Sequence, residues 1–301
     1  MKTSVALCTY NGEQYLAEQL DSILSQSVKV NEIVVCDDGS SDKTKEILLQ
    51  YQKKFPNVFK LYFNTETMGY VRNFEQAIEK CTGELIFLSD QDDVWLPEKI
   101  QTITHYSAAH PEIKVFAHEI ELLHEDKKRV KKSFWNNEGF DSSFTNAETL
   151  EYILFHKNVF PGMSLAITQK AKEEYLPLQK IHPKIIHDYE IVIKACNENA
   201  LMLIPETLTL YRVHGNQNIG INIINLAQSP ENLQSIYYKS LQNGLVKNMV
   251  EHFQLPADLI EKYRLKCRND YRNYLNKLPF LQKIITQLKV KYYYKISDGF
   301  S

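Results

Sequence analysis

Glu84-Leu85-Ile86-Phe87-Leu88-Ser89-Asp90-Gln91-Asp92-Asp93 is an apolar run that ends in three carboxylates within four residues. Leu85–Leu88 reads as a buried strand, opened by Gly83 and closed by the acids. Carboxylates at the carboxyl end of a strand in an open α/β sheet stand where such sheets bind ligands. Like charges this close repel one another unless a cation sits among them. A hard divalent metal carrying a phosphorylated substrate suits oxygen ligands of this kind. The competing reading is a solvated acidic turn leading into the next helix.

Working outward, strand and helix patterns alternate on both sides of this run. Ser4–Cys8 reads as a buried strand, and Leu16, Leu20, Ile23 and Leu24 then recur at helical spacing. Glu32–Cys36 is a second strand, closed by Asp37-Asp38-Gly39-Ser40 and followed by a helix with Ile47, Leu48 and Tyr51 on one face. Val58–Phe63 is the third strand, and a loop holding Gly69 leads to a helix near Val71–Lys80. Pro97 suits the first turn of the helix after the acidic cluster. This order predicts an α/β fold, a Rossmann-like and mostly parallel sheet flanked by helices.

The second half reads differently. Val115–Glu119 is a short strand, Glu125–Lys132 a charged turn or hairpin, Thr145–His156 a helix and Met163–Ile167 a strand. Asp188–Ala195 reads as a helix, and Met202–Ile204 and Leu208–Arg212 as two short strands. From about Leu226 only helical patterns remain, which predicts a C-terminal helical extension.

Composition narrows the class. A chain of 301 residues with 44% hydrophobic and 24% charged residues has room for one large domain and an appendage. The net charge of −2 does not favour nucleic acid as a partner. Ile260–Ser301 nevertheless carries ten Lys/Arg against three Asp/Glu, so a basic tail follows an acidic body. The five cysteines (Cys8, Cys36, Cys81, Cys196 and Cys267) are scattered with no CxxC pair. That usage, and a strand beginning almost at Met1, point to a cytoplasmic protein with reduced thiols. No apolar run approaches the roughly 18 residues of a membrane span.

The ends of the expected parallel strands carry Thr9, Tyr10, Asn11, Gly12 and Glu13, then Asp37, Asp38 and Gly39, then Asp90, Asp92 and Asp93. In a doubly wound sheet these ends converge on one crevice. Asp38 suits a pyrimidine N–H or a ribose hydroxyl, Tyr10 a stacked base, and Arg72 a phosphate. Gly39 and Gly69 suit close backbone approach or a positive φ. Tyr10 also reads as a packing aromatic and Gly69 as a turn glycine. Neither a Gly-x-Gly-x-x-Gly nor a Gly-Lys-Ser/Thr loop is present, against a dinucleotide oxidoreductase or a P-loop enzyme.

Thr9-Tyr10-Asn11-Gly12, Asp37-Asp38-Gly39-Ser40-Ser41-Asp42, Gly69…Arg72-Asn73 and Asp90-Gln91-Asp92-Asp93…Pro97 come in series. Together they resemble the family 2 glycosyltransferases of GT-A fold, over roughly residues 1–220. The resemblance implies a catalytic domain at 1–220, with a nucleotide-sugar half at about 1–110 and an acceptor half at about 111–220. A helical extension at 221–301 would follow. Asp90-x-Asp92 matches the family's DxD element, with Asp92 on Mn²⁺ or Mg²⁺ and Asp90 nearer the ribose. Thr9, Tyr10, Asn11, Glu13, Asp38, Gly69 and Arg72 match the nucleotide-sugar side. Asp93 reads as a cap for the helix near Pro97.

The family is usually inverting and needs one carboxylate base. Ile186-His187-Asp188-Tyr189-Glu190 matches its acidic dipeptide, with His187 where a Glu is usual, and assigns Asp188 as base; an N-cap is the competing role. Tyr211-Arg212-Val213-His214-Gly215-Asn216 resembles the Arg-x-His element, with His214 on the metal or diphosphate and Arg212 against leaving-group charge. The spelling Ser89–Trp95 resembles rhamnosyltransferases of bacterial polysaccharide pathways, implying dTDP-rhamnose among dTDP- or UDP-sugar donors. An oligosaccharide or lipid-linked acceptor follows.

The tail at 260–301 interleaves Lys/Arg with Tyr263, Leu265, Tyr271, Tyr274, Leu275 and Phe280, which suits an anionic membrane at the inner face of the plasma membrane. Packing on the catalytic domain or on a second subunit, as in a homodimer, suits it equally. A non-catalytic sugar-nucleotide-binding protein and a sugar nucleotidyltransferase are the rival functions. The occupied base position speaks against the first, and the absence of a Gly/Lys-rich loop after the first strand against the second.

Overall fold

The computed structural model describes residues 1–126, 128–182, 185–215, 245–277, 279–280, 282–283 and 286. Contacts divide the chain into two compact units. One is Met1–Ile153 with Lys157–Ile221; the other is Leu154–His156 with Asn222–Ser301.

The first unit is built on the expected alternation. β1 (Thr3–Thr9), β2 (Glu32–Asp37) and β4 (Leu85–Ser89) are buried along their whole length. Continuous apolar runs form such strands when helices cover both sheet faces. α1 (Leu16–Leu24), α2 (Thr44–Lys54) and α3 (Tyr70–Lys80) connect them, with β3 (Phe59–Phe63) at the sheet edge. α1 and α3 each bury a stripe at three- and four-residue spacing: Leu16, Leu20 and Ile23 on α1, and Phe74, Ala77 and Ile78 on α3. The order β3-β2-β1-β4 is parallel throughout.

Beyond β4 the sheet becomes mixed, as the period-2 patterns alone do not reveal. β8 (Leu165–Thr168) lies antiparallel between β4 and β6 (Val115–His124), entering from the opposite end after a 3₁₀ turn at Gly162–Ser164. β6 continues five residues past Glu119 and pairs with β7 (Arg129–Val130) as the expected hairpin. The two short strands expected at Met202–Ile204 and Leu208–Arg212 are one strand, β9 (Leu201–Val213), parallel to β6. Pro205 does not break it, because the pairing shifts register opposite His118–Ile120, a bulge that absorbs the missing donor. The path ends at β5 (Val94–Trp95), which pairs antiparallel with Thr209–Leu210 of β9.

The helices that follow come in the order α4 (Lys99–Ala109), α5 (Phe134–Asn137), α6 (Asn146–Phe155), α7 (Gln169–Tyr175) and α8 (His187–Asn197). The core around β1, β2 and β4 holds Val5, Leu7, Val35, Phe87, Trp95, Ile100 and Phe116. Trp95 is therefore a core residue. All five cysteines are free and buried.

In the second unit, residues 245–252 form α9 and Asp258–Asn276 form α10. α10 buries Leu259, Tyr263, Cys267, Tyr271 and Leu275, a four-residue stripe, and Tyr263 packs on Phe155. Leu265 and Phe280 are exposed. Lys262, Arg264 and Lys266 pair with acids one turn away. The helical patterns expected at 226–244 and the Lys289–Lys295 run lie outside the described residues. Among the described residues no helix is long and apolar enough to cross a membrane.

Candidate active site

The carboxyl ends of β1, β2 and β4 bring Thr9, Asp37–Asp38 and Asp90 to one edge of the sheet. Hydrogen bonds order the first two ends. Thr9 Oγ1 donates to Asp37 Oδ2 at 2.8 Å, and Asn11 Oδ1 accepts from the Ser41 amide at 2.9 Å. Asn11 has φ +49°, a left-handed geometry its short polar side chain tolerates. Glu13 Oε2 accepts from the Lys43 amide at 2.9 Å, beside the start of α2. Tyr10 is 42% exposed, open to a ligand.

Asp38 is buried and accepts from the Met68 amide at 2.7 Å, the Gly69 amide at 2.9 Å and Asn64 at 3.0 Å. It thereby holds the 64–69 loop over the end of β2. Gly69, with φ +81°, precedes α3 in a backbone conformation that favours glycine. Arg72 donates to Glu75 at 2.5 Å, a buried carboxylate that Lys180 also reaches at 2.7 Å. Its guanidinium is thus engaged on α3.

The acidic cluster is sorted by β9. Continuing the antiparallel register Val94–Leu210 by two residues sets Asp92 opposite Arg212. The Arg212 amide donates to Asp93 Oδ1 at 3.0 Å, and its Nε donates to the Asp92 carbonyl at 2.6 Å. Its guanidinium also reaches Glu18 at 2.8 Å and lies 4.6 Å over the Tyr15 ring. His214, two residues on, sets Nε2 2.8 Å from Asp92 Oδ2 and packs on the same Tyr15 ring. Asp93 does not cap the next helix. α4 starts at Lys99 with Glu98 before it and no side-chain cap, because Asp93 is drawn to β9 instead.

Asp90 is left to its surroundings. Burial, with Asp92 and Asp188 adding like charge, pushes its carboxyl up to about 8, against the opposing pull of Lys99. Asp188 lies within electrostatic reach of it, on the first turn of α8. The residue before α8 is Ile186, so Asp188 is not the N-cap. Burial lifts the Asp188 carboxyl to about 7, although the amides of Tyr189 and Gly162 donate to it. A buried carboxyl tuned near neutrality and within electrostatic reach of Asp90 has the character of a general base.

A model of the glycosyl transferase family 2 domain matches residues 4–156. The chain belongs to glycosyl transferase family 2. This family 2 chain is 27% identical over 221 residues to an uncharacterized glycosyltransferase of Nostoc, a match covering 72% of this chain and 66% of the relative. A Haemophilus influenzae glycosyltransferase is 26% identical, over 72% of this chain and 67% of its own length. The chain thus spans about two thirds of these relatives. It is 27% identical to the dTDP-rhamnosyl transferase RfbG of Shigella flexneri, over 80% of this chain and 79% of that protein. Among solved structures, TarS of S. aureus in complex with UDP-GlcNAc matches with a TM-score of 0.59 at 16% identity, covering 94% of this chain and 78% of that one. A Pyrobaculum calidifontis mannosyltransferase in complex with GDP-Man and Mn²⁺ matches at TM-score 0.55 and 14% identity, over 98% and 82%. These neighbours show the GT-A fold.

The donor set of this family 2 chain suits a divalent cation. Asp92 and His214 already meet, burial and acidic neighbours push the Asp90 carboxyl up, and buried Asp93 Oδ2 has no hydrogen-bond partner. Among the described residues no group of three metal-ligating side chains converges. A diphosphate would have to complete the shell, as is usual for Mg²⁺. Asn216, two residues after His214 in the sequence, lies outside the described residues.

Sequence reasoning passed over three contributors. Tyr15 and Glu18 look like ordinary α1 surface, yet they hold Arg212. Lys99 is fully buried; Nζ donates to the Met163 carbonyl at 2.7 Å and to Thr209 at 3.0 Å and lies over Trp95. Its signal was a lysine four residues before Ile103, on the apolar face of α4.

Proposed function

We propose that this protein is an inverting, metal-dependent glycosyltransferase that moves a sugar from a nucleotide donor to a polysaccharide or lipid-linked acceptor. The observation that carries the reading is Asp188, a carboxylate on the first turn of α8 that burial lifts to about 7 and whose charge is felt at Asp90.

The nucleoside lies along Thr9–Glu13 and Asp38, with Tyr10 against the base. To receive a base edge, Asp38 exchanges one of its loop amides for a ligand donor. Asp92 and His214 would hold Mn²⁺ or Mg²⁺, which supplies charge neutralisation for the departing diphosphate. The Asp188 carboxylate removes the acceptor hydroxyl proton as that oxygen bonds to the anomeric carbon. The bond from that carbon to the diphosphate oxygen breaks, and the nucleoside diphosphate leaves with the electron pair. Inversion in one step requires only this one base. Arg212 keeps Asp92 and Asp93 in place by gripping the Asp92 carbonyl and stacking on Tyr15.

The Shigella relative, a dTDP-rhamnosyl transferase, supports dTDP-β-L-rhamnose as donor, and the basic, aromatic 260–301 segment supports an acceptor at an anionic membrane. Release of nucleoside diphosphate from dTDP-rhamnose, UDP-GlcNAc and GDP-mannose with Mn²⁺ tests the reading. The expected result is turnover with dTDP-rhamnose. No release from any of the three, with or without acceptor, overturns it.

A further inference from the structure

Gln91, between Asp90 and Asp92, bonds the backbone of Tyr10 on the β1 loop. Its Oε1 accepts from the Tyr10 amide at 2.9 Å and its Nε2 donates to the Tyr10 carbonyl at 3.0 Å. Both backbone groups of one residue are thus held by one side-chain amide. Four neighbouring positions are tied to the β2–α2 side: Thr9 to Asp37, Asn11 to Ser40 and Ser41, the Gly12 amide to Thr44 at 2.8 Å, and the Glu13 amide to Asp42 at 3.0 Å. Gln91 supplies the bonds from the β4 side. Gly12 leaves room for them, since a Cβ there would stand 2.2 Å from Gln91 Oε1.

We propose that Gln91 is a positioning residue that locks the base-stacking Tyr10 to the metal-binding turn, so that nucleoside and diphosphate are gripped as one unit, and that Gly12 is small to admit it. Resting on the nucleotide-donor reading above, the proposal adds a coupling between its two halves. Asp92 on one side of Gln91 faces the diphosphate, and Tyr10 on the other faces the base. Without the clamp each half still exists, but the loop carrying Tyr10 is free to drift from the turn, and donor binding bears the loss of preorganisation.

The test is direct binding of dTDP and UDP with Mn²⁺ by wild type, Gln91→Ala, Gly12→Ala and the double variant, with donor KM and kcat alongside. Two neutral hydrogen bonds support a loss of about tenfold in affinity. Gln91→Ala should raise Kd and donor KM by that factor and leave kcat within about twofold. Gly12→Ala, which displaces the Gln91 head without removing it, should do the same. In the Gln91→Ala background Gly12→Ala should then add nothing, since the atom it strikes is gone. A merely structural effect on the start of α1 would instead multiply with the first. Multiplying effects, or wild-type affinity in Gln91→Ala, overturn the proposal alone. A wild type that binds neither nucleotide overturns the donor reading and the proposal with it.

Discussion

Replacing Asp188 with Asn should make the protein inactive and, at alkaline pH, more stable. Burial raises this carboxyl from 3.8 to about 7. A displacement of about three pH units corresponds to roughly 4 kcal/mol by which the folded state disfavours the ionised form. The sign follows from proton binding. The folded protein holds this proton more tightly than the unfolded chain does. The contribution to stability is therefore complete below about pH 4, declines as pH rises, and is exhausted above about pH 7. Asn is never ionised and escapes that decline. It keeps one acceptor for the amides of Tyr189 and Gly162 but loses the charged acceptor, which costs about 1–2 kcal/mol.

The variant should therefore be about 2–3 kcal/mol more stable than wild type at pH 8, a Tm rise of roughly 5 °C, with the gap closing near pH 5. Turnover should fall by roughly 10²–10⁴-fold. Wild-type kcat/KM should climb with pH through a limb near 7, where the free base ionises. Thermal melts of both proteins between pH 5 and pH 8, with nucleoside diphosphate release at each pH, check all three. A variant less stable than wild type at pH 8, a gap that ignores pH, or turnover within tenfold of wild type would refute the reasoning.

Chelation should silence the enzyme and added Mn²⁺ or Mg²⁺ restore it; full turnover in excess EDTA would remove the metal from the proposal. His214→Ala should raise the Mn²⁺ needed for half-maximal turnover at least tenfold with little change in Tm, since it removes one of two residues already in contact at the proposed site. Arg212→Lys should lose about 2 kcal/mol in urea unfolding, because an ammonium cannot bind the Asp92 carbonyl and Glu18 while stacking on Tyr15. His187→Leu should gain about 1 kcal/mol: both ring nitrogens are buried without partners between Phe74 and Gly162, and leucine buries no polar atom there.

The half of the fold formed by β1 to β4 was legible because β1, β2 and β4 are mostly continuous apolar runs and α1 and α3 carry apolar stripes. Local pattern and global topology agree there. The second half was less so. β9 contains Pro205 and reads as two strands, while its pairing with β6 depends on a bulge that no period reveals. β5 is two residues long, too short for any periodicity to register. Yet that short pairing sorts the acidic cluster. Three carboxylates in four residues are visible in the sequence, but what each one meets is decided by a strand more than a hundred residues later. β9 claims Asp93 through the Arg212 amide and brings His214 to Asp92. Asp90, with no such claim from β9, is the one exposed to the field of Asp188. Moving β9 by two residues along β5 would take Arg212 from its place opposite Asp92 and leave the sequence motif unchanged. The motif therefore marks the site, and the register of β5 with β9 assigns its chemistry.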